Sequence, residues 1–194
     1  MNKFNEKKFY QFTKNYKSIL DYGCGNGILP QSNKKVYLYD IDKNLYPILK
    51  KKYKKKKFFK ILNKPKFSGI DVLFMNSVFQ YLNYLQLRKI KKKMKKFKII
   101  IISDIPKYPR IIEAIFLIFL NPARLISGII SFLKKEKLYT RLSFYSYSTK
   151  KIVNTFKGFN IKIIPNLNDV KFVRYTIILK NKINFTITLD SQNK

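Results

Sequence analysis

The chain has no histidine, no tryptophan and a single cysteine, Cys24, and its acidic residues number 10 against 42 lysines and arginines. Each shortage removes a chemistry. Without histidine there is no Ser-His-Asp triad and no imidazole base, and one cysteine can build neither a zinc cluster nor a disulfide framework. No metal is expected, and the compartment reads as reducing. The phosphate-loop pattern G-x-x-x-x-G-K-[ST] is also absent, which excludes the common nucleotide hydrolases. Residues 1–16 are charged and polar, without the apolar segment of a secretory signal, so the expected location is the cytoplasm.

What is present is a chain of 194 residues, enough for one ordinary domain with a core of its own. Its formal charge of +32 has two explanations. A strongly basic protein suits nucleic acid or an anionic membrane surface. Joint enrichment in Lys, Asn, Ile, Phe and Tyr is equally what an A/T-rich coding sequence produces. Charge argues about association and not about fold, and both explanations stay open. Acids this scarce carry positional information, and Asp21, Asp40, Asp71 and Asp104 all fall at or beside the ends of expected strands.

The stretch Ile19-Leu20-Asp21-Tyr22-Gly23-Cys24-Gly25-Asn26-Gly27 organises the rest. It reads as a buried strand, a glycine turn that lets backbone approach a ligand, and then a short helix over residues 28–32 with Pro30 near its start. A dinucleotide fingerprint from Gly23 would need its third glycine at position 28, which is Ile28, so a nicotinamide enzyme is disfavoured. Lys35-Val36-Tyr37-Leu38-Tyr39 is a second strand, ending at Asp40, 19 residues after Asp21. A carboxylate about 20 residues past such a loop can accept both ribose hydroxyls of a nucleoside. Asp42 suits the N-cap of the helix that follows, to Tyr53.

Further strands are expected over 58–62, 70–76, 98–104, 159–164 and 171–180. Helices are expected over 83–96 and from Ser148-Thr149 to Phe156, with Gly158 as the stop. The near-continuous apolar run Ile70–Met75, broken only by Asp71, suits a parallel strand buried on both faces. Residues 1–16 read as an aromatic lead-in with a helix, and 185–189 as a further strand or a free tail.

The acid, the three alternating glycines and the second acid together resemble the class I S-adenosylmethionine-dependent methyltransferases. That resemblance implies a Rossmann-like α/β sheet of seven strands, mostly parallel with an antiparallel last strand, and helices on both faces. It implies that Asp21, Gly23, Cys24, Gly25 and Gly27 receive the amino-acid part of S-adenosylmethionine. Asp40 would take the ribose, with Ile41 beside it, and Asn63 the adenine. Asn76 and the segment 77–82 would lie under the methionine part and face the substrate. This segment departs from the N/D-P-P-Y/F form of enzymes that methylate amino groups of bases, which counts against such acceptors. For a hydroxyl acceptor, Asp104 is the first candidate for general base and Tyr81 the second.

Residues 108–147 interrupt the family outline with two apolar stretches, 110–120 and 125–133, separated by Asn121-Pro122. Glu113, Asn121, Pro122 and Arg124 break any run long enough to span a membrane. The segment reads as a helical cap inside one domain, 1–194, or as a patch lying on an anionic membrane. An apolar cap favours a small-molecule, glycan or lipid-linked acceptor, and RNA is the rival that the charge supports. A non-catalytic binding module is the reading from another class.

Overall fold

The computed structural model describes residues 4–29, 33–107, 147–167 and 174–182. The cap of 108–146, the tail from 183 and the remainder of the expected 28–32 helix lie outside the described residues. Its strands are β1 (Ser18–Tyr22), β2 (Lys35–Tyr39), β3 (Phe59–Ile61), β4 (Val72–Asn76), β5 (Ile99–Pro106), β6 (Phe159–Pro165) and β7 (Arg174–Asn181). Its helices are α1 (Glu6–Thr13), α2 (Tyr46–Tyr53), α3 (Tyr84–Met94) and α4 (Thr149–Thr155).

One sheet holds all seven strands in the order β3-β2-β1-β4-β5-β7-β6. The strands β1 to β5 pair in parallel, while β7 runs antiparallel to both β5 and β6. This is the expected Rossmann-like arrangement. The chain winds outward from β1 through β2 to β3 and then crosses to β4 on the other side of β1. That reversal opens a crevice beyond the carboxyl ends of the two central strands, where open α/β sheets bind ligands.

The strand sequences alternate their side chains between two cores. Leu73, Met75, Ile100 and Ile102 join α3 residues Leu87, Ile90 and Met94, Ile152 of α4 and the C-cap Phe156 that follows it on one face. Val72, Phe74, Ile99 and Ile101 join Phe9 of α1 and Leu49 and Tyr53 of α2 on the other. Because both faces are covered, β4 and β5 are buried throughout, apart from the half-buried Asn76 at the end of β4. The helices have the caps that their sequences offer. Asn83 and Gln86 form a reciprocal capping box on α3, and Ser148 caps α4. The lead-in helix α1 is held by its N-cap Asn5, by Phe9 packed 4.7 Å from Phe74, and at its end by Lys34, whose buried Nζ donates to the carbonyls of Thr13, Lys14 and Tyr16.

Two expectations need correction. The helix from Asp42 starts instead as a 3-10 turn, Lys43–Leu45, with Asp42 as its cap, and becomes α-helical at Tyr46, where Pro47 fits the first turn. The expected helix after the glycine loop does not begin at Ile28 or Leu29, which are irregular. Lys52 Nζ is bonded to the carbonyls of Asn26 and Gly27, which a first helical turn there would use, and Leu29 turns into the core.

Candidate functional site

The glycine loop leaves β1 with Gly23, Gly25 and Gly27 all at positive φ, +74°, +53° and +70°. A side chain at Gly23 would run into Val78, and one at Gly27 into Tyr53 Oη. At Gly25 nothing stands within 4 Å of where a Cβ would be, so the loop presents open space there. Its amides tie it to the end of β2. Gly23 and Cys24 donate to Tyr39 O at 2.7 and 3.1 Å, and Gly25 donates to Asp40 Oδ2 at 2.8 Å. From α2, Lys52 holds the loop's carbonyls, a contact that nothing in the basic run around it signals.

Asp40 is buried at the tip of β2, with Oδ1 accepting from Asp42 N–H at 2.9 Å and Oδ2 from Gly25 N–H. Each oxygen retains a further lone pair. Ile41, next in sequence, is 84% exposed, an apolar side chain left standing at the rim. Asn63 is exposed just beyond β3. Its carbonyl accepts from Lys43 Nζ at 3.0 Å, and the same ammonium donates to Asp40 O at 3.2 Å, so Asn63 is brought to the Asp40 corner.

Asp21 sits under the loop with no exposure, and neither of its carboxylate oxygens has a hydrogen-bond partner among the described residues. Burial, and secondarily the charge of Asp40, pushes its pKa up to about 8. Nearby Tyr53, whose hydroxyl is also buried without a partner, is raised to about 12 by burial and then by Asp21 and Cys24. Cys24 is buried and its thiol is pushed up strongly, chiefly by burial, so it is a packing residue and not a nucleophile. A solitary carboxylate this deep costs several kcal/mol in lost hydration unless a donor or cation reaches it.

Across the crevice, Ser77 and Asp104 both adopt left-handed backbone, φ 57° and 64°, which non-glycine residues seldom do. They meet: Ser77 Oγ donates to Asp104 Oδ2. Strained pairs of this kind persist where the surroundings over-determine them, often at binding sites. Here Asn166 Nδ2 donates to Asp104 Oδ1 at 2.9 Å, Arg174 Nη1 to Oδ2 at 2.6 Å, and Asn166 Oδ1 accepts from the Asp104 amide. Asp104 therefore does not end the strand, which was expected over 98–104. It forms an irregularity between Ile102 and Ile105, and β5 continues to Pro106. Three donors share its two oxygens, Ser77 Oγ and Arg174 Nη1 on Oδ2 and Asn166 Nδ2 on Oδ1. Asn76 Nδ2 bonds Ser77 Oγ at 3.2 Å, and Tyr81 lies half-exposed on a short 3-10 turn, Phe79–Tyr81.

The structure thus gathers Asp21, the loop glycines, Asp40, Asn76 and Asp104 along one edge of the sheet, with Ile41 and Asn63 at its β2 to β3 corner. Sequence reasoning missed Lys52, Lys43, Ser77, Asn166 and Arg174. Among the described residues, no group of three or more His, Cys, Asp or Glu side chains could hold a metal, and no helix is long and apolar enough to cross a membrane.

No known family model matches the chain, and no curated protein does. Solved structures do resemble it. The methyltransferase domain of bacterial CtHen1 superposes with a TM-score of 0.61 at 15% identity, covering 90% of this chain and 96% of that one. Magnesium protoporphyrin IX methyltransferase from Synechocystis PCC 6803 with bound SAH gives a TM-score of 0.62 at 15% identity, over 90% of this chain and 80% of that one. A SAM-dependent methyltransferase from Aquifex aeolicus gives 0.59 at 15% identity, over 92% and 90%. The likeness is one of fold, and it spans nearly the whole chain.

Proposed function

We propose that this chain is an S-adenosylmethionine-dependent methyltransferase acting on an oxygen nucleophile of a small-molecule, glycan or lipid-linked acceptor. The observation that carries the reading is Asp21. A carboxylate buried without a donor beneath a glycine loop fits a cationic ligand, and S-adenosylmethionine brings an ammonium and a sulfonium to that loop. The fold and the positive-φ glycines support the same reading.

In this reading the glycine loop holds the amino-acid part, and the free lone pairs of Asp40 accept the ribose hydroxyls. Exposed Ile41 gives the adenine an apolar face, and Asn63 stands at its edge. When bound, the cofactor supplies a methyl group already electrophilic on sulfur. The protein's task is to hold the acceptor in line, and positioning alone accounts for much of such an acceleration. Asp104, which accepts from Ser77 Oγ, positions Ser77 and the segment after β4, which faces the acceptor. Tyr81, on that segment, orients the acceptor or takes its proton.

The apolar sequence of 108–147 supports a compact acceptor over RNA. One fold neighbour acts, by its name, on a small molecule. A pure binding module would have no use for an uncompensated Asp21.

Calorimetric titration with S-adenosylmethionine and its demethylated product tests the reading. Both should bind, and Asp40→Ala should abolish binding. Because Asp40 also holds the loop, Ile41→Asp is the companion variant. Its exposure leaves the fold intact, and binding should weaken about tenfold. No binding to folded wild type refutes the enzyme, and wild-type affinity in Asp40→Ala refutes the ribose site.

A further inference from the structure

A groove of about 550 Å³ separates α3 from α4 on the face of the sheet away from α1 and α2. Arg88 and Lys91 line it from α3, and Lys150 and Lys151 from α4. Neutral hydrogen-bonding groups of Asn154 and Thr155 stand among them, and Leu87 is the one apolar side chain in the lining. Among the described residues no carboxylate lines it. Four like charges converging on a concavity from two helices repel one another, and the field they focus there favours an anion.

The wall of the groove is tied to segments that end at the crevice. Ser148, in its wall, follows Tyr147, whose N–H donates to Pro106 O at 3.3 Å and whose hydroxyl donates to Leu82 O at 2.6 Å. Pro106 ends β5, and Leu82 closes the segment after β4. These two bonds fix the groove's α4 wall to the ends of β5 and of the segment after β4, the same segments that bound the crevice.

We propose that this groove binds the phosphate or diphosphate group of the methyl acceptor, an inference that rests on the methyltransferase reading above. Arginine and lysine with interleaved hydroxyl and amide groups are the usual donors to phosphate oxygens. The volume falls in the range of small-molecule sites. Single-stranded nucleic acid would need aromatic side chains on which bases stack, and among the described residues the lining has none. A lipid surface would need an apolar face lying in the interface plane, whereas this groove is concave and lined by four cationic side chains.

The test uses sodium pyrophosphate titrated into the full chain at physiological ionic strength. Three proteins are compared: wild type, Arg88→Gln/Lys150→Gln/Lys151→Gln, and the charge-matched control Lys54→Gln/Lys55→Gln/Lys57→Gln. All six positions are exposed, so the fold survives. Saturable binding that weakens at least about tenfold in the groove variant and is unchanged in the control supports the site. Absence of saturable binding, or equal weakening in both variants, overturns it. Groove-dependent binding of a short oligouridylate or of anionic phospholipid vesicles, with none of pyrophosphate, also overturns it, in favour of that partner. S-adenosylmethionine titrated into the same proteins separates the two readings. The groove variant should bind it as wild type does. If wild type binds none, the methyltransferase reading fails while the pyrophosphate comparison still judges the groove.

Discussion

Asp21 is the residue whose environment is least balanced in the free protein. Its folded pKa of about 8 lies far above the 3.8 of an exposed aspartate, because burial disfavours the charged form and Asp40 adds to the effect. The sign follows from linkage. A raised folded value contributes stability that is complete below the unfolded pKa and is lost as pH rises through the folded one. The free protein should therefore lose stability between about pH 4 and pH 8, and Asp21→Asn should flatten that decline. Urea midpoints of both proteins across this range decide the matter. Parallel slopes would show that Asp21 is not the source. The acid was legible in the sequence as part of the motif, but its isolation was not, because burial and the lack of a donor depend on what α2 and the loop place around it.

The two edges of the sheet use their aspartates differently. At the amino edge Asp71 joins three strand starts: Oδ2 accepts from the Lys17 and Ser18 amides and Ser18 Oγ, and Oδ1 pairs with Lys98 at 2.8 Å. Burial alone would raise its pKa, but the hydrogen bonds from Lys98, Lys17 and Ser18 prevail and hold it below the usual value. Its contribution is present above the unfolded pKa and disappears as pH falls through the folded one. Asp71→Asn should destabilise the protein by about 1–2 kcal/mol near neutrality, the worth of a hydrogen bond or two. The difference from wild type in urea melts should shrink below about pH 4. A difference that persists in acid would mean that packing, not charge, is lost. Elements such as β4 and α3 were readable because a strand covered on both faces must be apolar almost throughout and a helix must turn one residue in three to four to a core. The 3-10 start before α2 and the irregular backbone at Ile28 and Leu29 were not, since Lys52 and Pro47 act there through contacts and sterics that periodicity does not record.

Over the molecule as a whole, +32 net charge is distributed on a surface with few acids to offset it, and self-repulsion opposes the compact state. Stability should therefore rise with sodium chloride over the range in which the Debye length falls from about 30 to about 3 Å. Thermal melts along a salt series measure this, and a flat or falling midpoint would show that local ion pairs such as Arg174–Asp104 outweigh the general field. The sequence by itself determined the class of fold, the glycine loop and the acids on either side of it, because these rest on local rules: apolar runs in strands buried on both faces, positive φ at glycine, and a fixed spacing to the second strand. Only the tertiary structure decided what those residues do together. It joined Asp104, the expected base, to Ser77, Asn166 and Arg174. It also left Asp21 without a donor and set Arg88 opposite Lys150 across a groove. Each of these joins positions tens of residues apart, and such a contact exists only once the sheet has closed and excluded the water that would otherwise satisfy each group alone.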